Sequence, residues 1–288
     1  MAQAVSVQHA AMLGPSSSVR LVSTARIAWA RAALTGLLLA ASVRLILQAG
    51  GGTEVAQRLP MALTLTAALA VAARVLRVVT GGGALAGWFA ALLLYLGAGP
   101  AMFAGLVALF LVTALGTRWG RSRKEQLGTA ESRSGRSAAQ ILANTAMAAL
   151  AAALAPGSEN SMPLLAAAVA ALAEAAADTV SSEYGQAAAR PTFLITSGKP
   201  IAPGTDGGVS LGGSGGGVLA AALVVATCVA GGAVPVAAFL PLVLAGALGM
   251  VVDSFLGAVW ERCGRLSNDT VNLLGTFSAA AVAFLWFR

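Results

Sequence analysis

The sequence predicts an all-α protein, a polytopic bundle of about nine transmembrane helices with a cytoplasmic N-terminus. Three observations carry that expectation. Of 288 residues, 58% are hydrophobic and only 10% charged, with a mean hydropathy of +0.82, whereas soluble domains are about 25% charged. The apolar residues fall in runs near the roughly 20 residues that a helix needs to cross a hydrocarbon core of about 30 Å. The charges collect between those runs. Together these exclude a soluble dinucleotide-binding or barrel enzyme, and a disordered chain.

Unpaired backbone groups are too costly in hydrocarbon, so each run is read as a helix. The runs are 27–47, 59–79, 84–99, 100–116, 138–155, 163–180, 216–232, 235–259 and 270–287. Gly97, Gly99 and Pro100 separate the third from the fourth, which therefore reads as two short spans, a hairpin or a broken segment. Abundant Ala and Gly suit close helix packing, because small residues let backbones approach in lipid. No internal repeat stands out.

Basic residues set the orientation, since cytoplasmic connections hold more Lys and Arg. Arg20, Arg26 and Arg31 precede or open the first run, and Arg74 and Arg77 close the second. Connection 117–137 holds Arg118, Arg121, Arg123, Lys124, Arg133 and Arg136 against Glu125 and Glu131. Arg190 and Lys199 fall on the same side, which is read as inside. Arg44 and Arg58 are exceptions near the outer edge, where long side chains snorkel. Residues 1–25 lack the short apolar core of a secretory signal and read as a mobile tail. Residues 26–288 form the membrane catalytic domain, with cytoplasmic connections 117–137 and 181–215. The basic excess, 18 Lys and Arg against 11 Asp and Glu, reports membrane topology rather than nucleic acid. Cys228, Cys263 and His9 make no disulfide framework, zinc site or His-based catalysis.

Four polar clusters converge on the predicted inner face. Gly116, Thr117, Arg118, Arg121 and Lys124 lead to Arg133, Ser134, Gly135, Arg136, Gln140 and Asn144. Guanidinium forks match phosphate oxygens, so this stretch reads as a phosphate site or as a topology signal drawn to anionic lipid. Glu174, Asp178 and Ser182 share a helix face, widened by Ser181 and Glu183. Acids inside a span are expensive unless paired, hydrated or metal-bound. They suit Mg²⁺, an Arg partner or a proton relay.

The third cluster runs from Thr196 through Lys199 to Gly204, Thr205, Asp206, Gly207, Gly208 and Ser210. Glycine amides with a lysine suit an anion-binding nest or a flexible linker; the spacing is not a Walker A loop. The fourth joins Asp253 and Ser254 to Asn268, Asp269, Thr270 and Asn272. Asp269 suits a helix N-cap, whereas Asp253 follows a long apolar run and ranks with Asp178 as a metal ligand or orienting acid.

The segments ADTVSSEYG from Ala177, TSGKPIAPGTDGGVSLGG from Thr196, VVDSFLGA from Val251 and LSNDTVNLLGT from Leu266 occur in this order. As an ordered set they resemble an integral membrane family, first known as a domain of unknown function, that includes plant phytyl-phosphate kinase and vertebrate transmembrane protein nineteen. The likeness covers roughly residues 30–287. The glycine-and-lysine pattern usual in the preceding connection is arginine-rich here, GTRWGRSRKEQ from Gly116 and SGRSAAQILAN from Ser134.

The resemblance implies phosphoryl transfer from a nucleoside triphosphate, CTP favoured, to a phytyl or other prenyl monophosphate. In plants that reaction serves phytol salvage toward tocopherol and phylloquinone. On that reading Asp178, Glu183 and Asp253 hold Mg²⁺, with Asp206 or Asp269 assisting. Lys199, Arg118 and Arg136 take phosphates, joined by Arg121, Lys124, Asn144, Ser210, Asn268 and Asn272 in binding substrate and nucleotide. Gly204 to Gly208 cover the nucleotide, and the prenyl tail lies between Ala-rich helices. The expected place is a bacterial inner membrane with the active face cytoplasmic. A membrane nucleotidyltransferase needs nearly the same residues and differs in its products. A transporter of an anionic lipid predicts polar groups through the whole membrane depth.

Overall fold

A computed structural model describes residues 33, 35–45, 47, 54–188 and 191–288. The expected tail 1–25, with His9 and Arg20, lies outside the described residues, as do Arg26, Arg31 and Arg190. The described chain is predominantly helical. Its helices are α1 (Thr35–Leu45), α2 (Glu54–Val75), α3 (Gly81–Arg118), α4 (Arg121–Leu127), α5 (Ala138–Leu154), α6 (Ser161–Ala187), α7 (Leu211–Ala230), α8 (Phe239–Leu256) and α9 (Asn268–Phe287). Among the described residues six helical segments are long and apolar enough to cross a membrane, and α1 and α5 are shorter apolar helices.

The long helix α3 explains how two expected spans became one element. A straight helix of 38 residues would reach about 57 Å, nearly twice the hydrocarbon thickness. Gly99 instead takes φ 82°, ψ −174°, and Pro100 follows it without an N–H to continue the ladder. The chain folds back as two antiparallel limbs. Gly83 lies against the Arg136 carbonyl and Gly97 against Ala152, so the first limb runs the length of α5. Gly105 then meets Cys228, and Gly116 lies near Glu183, so the second limb returns along α6.

Helix α6 is the axis of the bundle, touching α3, α5, α7, α8 and α9. Its alanines from Ala166 to Ala177 are almost wholly buried, because a methyl side chain lets five neighbours approach one backbone. The connections 76–80, 119–137, 191–210 and 257–267 then gather at one end. At the other end Arg44, expected to snorkel, donates to the carbonyls of Leu154 and Pro156, both at 2.7 Å, and closes the end of α5. Arg58 pairs with Glu54 at 2.7 Å and lies over Gly99.

The connection expected over 181–215 is shorter than predicted. Helix α6 continues to Ala187, and the glycine-rich run after Ser210 is helical. Gly213 and Gly217 pack on Ser181 and Ala177 of α6, so close approach overrides their poor helix propensity. The intervening residues form a small antiparallel sheet that an all-α expectation did not contain: β1 (Thr192–Leu194), β2 (Pro200–Ile201) and β3 (Gly208–Val209), ordered β2-β1-β3.

Gly97→Val is expected to force α3 away from α5, because a Cβ there overlaps the Ala152 and Ala153 backbone. Overpacking of this kind costs about 1–3 kcal/mol. Thermal unfolding in detergent should show a lower Tm, while Gly81→Ala, which faces open space, should leave it unchanged. Equal Tm values would contradict the packing described.

Candidate functional site

Two cavities open at the polar end and share three residues, Glu131, Arg136 and Asn144. The first, of about 280 Å³, lies between α2, both limbs of α3 and α5. Its walls are apolar, including Leu69, Leu106, Leu109, Phe110 and Ile141, and its mouth carries Arg77, Arg118, Arg121, Arg133 and Arg136. The second, of about 330 Å³, is polar and is walled by α5, α6, α8, α9 and the 188–210 connection. Thus an oily slot with a guanidinium rim adjoins an acidic chamber.

Residues from all four sequence clusters meet in the acidic chamber. Asp178, Glu183, Asp253, Arg136 and Asn144 line it, as do Gly204, Thr205, Asp206, Gly207, Gly208, Ser210, Asn268 and Asn272. Glu131 and Glu261 add two carboxyls, and Arg136 is the one basic residue among the described lining residues. Such an excess of acid repels a bare polyphosphate and favours a cation-bound one.

The Asp178 and Asp253 carboxyls, from α6 and α8, lie close together in the wall of this chamber. Asp253 Oδ2 and Asn272 Oδ1 are buried and meet no hydrogen-bond donor among the described residues. Two facing carboxyls and an orphaned amide oxygen form an all-oxygen donor set, which fits a hard divalent cation. No group of three or more His, Cys, Asp or Glu among the described residues is arranged to hold a metal.

Glu183 stands apart from the expected metal set. Its carboxylate accepts from Lys124 Nζ at 2.6 Å and from Thr117 Oγ1 at 2.7 Å. Lys124, expected to bind phosphate, is fully buried and also donates to the carbonyls of Gly116 and Thr117, at 3.0 and 2.8 Å. All three ammonium donors are engaged, so the pair fastens α4 to α6. Trp119 stacked on Tyr184, with ring centroids 4.9 Å apart, reinforces the same joint.

Other expected phosphate ligands are also placed differently. Arg118 and Arg121 line the mouth of the apolar slot rather than the acidic chamber. Arg121 bonds Glu125 at 3.1 Å and the Glu131 carbonyl at 3.0 Å. Together with Arg133 it holds the Glu125 carboxyl below the usual carboxylate range, through hydrogen bonds and charge. Lys199 is exposed in the turn between β1 and β2, outside the chamber lining. Asp269 lies in the first turn of α9, where Ser267 is the N-cap, and its charge complements the helix dipole. Ser210 caps α7 by accepting from Gly213 N at 3.1 Å.

The glycine stretch is a turn joined to the sheet rather than a free loop. Gly208 N donates to Thr205 O at 2.9 Å and Ile195 N to Gly207 O at 3.0 Å. Gly207 has φ 75°, and a Cβ there would overlap Ala258. Only glycine lets the turn close against the α8 extension beside Asp253.

Arg136 is held from its backbone. Its N–H donates to Val78 O at 2.9 Å and its carbonyl accepts from Thr80 N at 3.0 Å. Its guanidinium lies 3.8 Å from Glu131, available to both cavities. Glu174, one helical turn before Asp178, is not among the residues lining either cavity. It occupies a slot left by Gly249 and Gly275, is 1% exposed, and neither oxygen has a hydrogen-bond partner among the described residues.

Lys124→Ala strands the Glu183 carboxylate and is expected to destabilise the protein by about 3–5 kcal/mol. Lys124→Met combined with Glu183→Gln should recover much of the loss in thermal unfolding. A single variant as stable as the double one would contradict the joint described.

Curated proteins with significant similarity include an uncharacterized membrane protein of Synechocystis sp., 33% identical over 201 residues, 68% of this chain and 78% of that protein. Protein VTE6, chloroplastic, of Arabidopsis thaliana is 31% identical over 196 residues, 65% of this chain and 59% of the plant protein. An uncharacterized membrane protein of Methanocaldococcus jannaschii is 33% identical over 123 residues, 41% of this chain and 49% of that protein. No solved structure matches significantly. The model of a family described as integral membrane protein DUF92 matches residues 64–280, a span containing all four motif segments, and the chain belongs to that family of integral membrane proteins.

Proposed function

We propose that this protein is a prenyl-phosphate kinase that transfers a phosphoryl group from a nucleoside triphosphate, CTP favoured, to a phytyl or geranylgeranyl monophosphate. The observation that carries the reading is the meeting of the two cavities at Arg136. An amphiphile with an anionic head suits the apolar slot and its arginine rim. A cation-bound triphosphate suits the acidic chamber. The motif resemblance to phytyl-phosphate kinase and the similarity to the plant chloroplast protein support the same reading.

An oxygen of the prenyl phosphate attacks the γ-phosphorus, and the bond from that phosphorus to the β,γ-bridging oxygen breaks. The nucleoside diphosphate leaves with the electron pair, and the prenyl diphosphate is formed. Such transfer depends mainly on positioning and charge stabilisation. Arg136 would hold the acceptor phosphate at the junction, and the turn from Gly204 to Gly208 would lie over the nucleotide. Asp178 and Asp253, with the Asn272 amide oxygen beside them, would hold Mg²⁺. Bound there, the cation would neutralise phosphate charge.

The polar end is taken as cytoplasmic, from the basic residues of 117–137. Counting α3 as two crossings and both short helices as spans gives nine, with the N-terminus inside and a bacterial inner membrane as the setting. Nucleotidyl transfer is chemically close and yields different products. Transport is disfavoured, because both cavities open at the same end of the bundle.

Purified protein in detergent with Mg²⁺, phytyl or geranylgeranyl monophosphate and, separately, CTP, ATP, GTP and UTP should yield lipid diphosphate and nucleoside diphosphate, resolved by mass. Pyrophosphate with a nucleotide-linked lipid would assign nucleotidyl transfer instead. Asp178→Asn and Asp253→Asn should each lower turnover by roughly 10²- to 10³-fold with the fold intact. Wild-type turnover in both would remove the metal assignment.

A further inference from the structure

We propose that Arg77 binds the phosphate of the lipid acceptor at the mouth of the apolar slot. The assignment rests on the reading above that this slot takes an amphiphilic monophosphate. Neither the charge pattern nor the motif segments single Arg77 out as a ligand; its backbone does. Helix α2 ends with Val78 N donating to Ala73 O at 3.0 Å and Arg77 N to Arg74 O at 3.1 Å. In that termination the penultimate residue is left-handed and is usually glycine. Arg77 takes φ 56°, the one positive φ at a described residue other than glycine.

The turn itself is needed for the site. It sends Val78 to Thr80 alongside Arg136, where the two segments pair through their backbones. Glycine would make that turn without strain, so what arginine adds is its side chain. Strained backbone of this kind collects at ligand clamps.

The other rim arginines already have protein neighbours. Arg118 donates to the Leu76 carbonyl at 3.3 Å, Arg121 and Arg133 bond Glu125, and Arg136 lies 3.8 Å from Glu131. The Arg77 guanidinium has no hydrogen-bond or ion-pair partner among the described residues, and the residue lines the mouth of the slot. An unengaged fork in the lining of the same apolar cavity as Arg136 matches the oxygens of a monophosphate whose tail enters the slot.

The test compares binding of farnesyl monophosphate and of farnesol to the full chain in detergent, for wild type, Arg77→Gly and Arg77→Lys. Glycine relieves the left-handed backbone, so Arg77→Gly should unfold at no lower temperature than wild type. It should bind the phosphate roughly ten- to hundredfold more weakly and farnesol unchanged, with Arg77→Lys between. Phosphate binding unaffected by Arg77→Gly, in a protein that prefers phosphate to alcohol, would overturn the assignment and leave the kinase reading standing. Equal weakening for both ligands would also overturn it, by making the residue structural. A wild-type protein indifferent to the phosphate would overturn the kinase reading and this assignment together.

Discussion

Three carboxylates on one turn-and-a-half of α6 and the turn beyond it have to be accommodated inside an apolar bundle, where an unpartnered charge is expensive. Each meets a different environment. Glu183 is neutralised by a buried lysine and a threonine hydroxyl. Asp178 faces Asp253 in a chamber that also holds Arg136. Glu174 sits in a slot left by two glycines, with no donor among the described residues. The surrounding elements follow from these requirements. Helix α4 is drawn against α6 by Lys124, α8 and α9 give up side chains at Gly249 and Gly275, and the glycine turn closes beside Asp253.

The partition between oily slot and acidic chamber depends on a few backbone contacts around Arg136. Pairing of Val78 and Thr80 with Arg136 ties the start of α3 to the residues just before α5. That junction brings the guanidinium to the shared wall of both cavities, where a head group and a polyphosphate would meet. The small sheet and its turn cover the chamber from the side away from the bundle, fixed by hydrogen bonds within the connection itself.

Much of the helical plan was legible because membrane crossing imposes a length and a hydropathy that any sequence must show. The break at Gly97, Gly99 and Pro100 was visible for the same reason, since glycine and proline have few other uses there. Asp178 and Asp253 stood out as acids in apolar runs, and both line one cavity. The role of Lys124 was not legible: its position in a basic stretch signals phosphate, while its burial depends on α4 folding back onto α6. Nor was the place of Lys199 legible, because only the strands on either side put it in an exposed turn. The helicity of residues 211–215 was hidden because glycine propensity argues against it, and only contact with α6 overrides that.

By itself the sequence determined that the chain is an integral membrane bundle, which segments are apolar and which family carries its four polar motifs. These are local properties, set by composition, run length and residue order. Tertiary structure alone decided which acids face each other and which basic residues are committed to the protein. It also decided that two cavities of opposite character share Arg136. Those relations depend on contacts between residues distant in the chain, such as Thr117 with Glu183 and Val78 with Arg136, whose free energy appears only once the helices are packed.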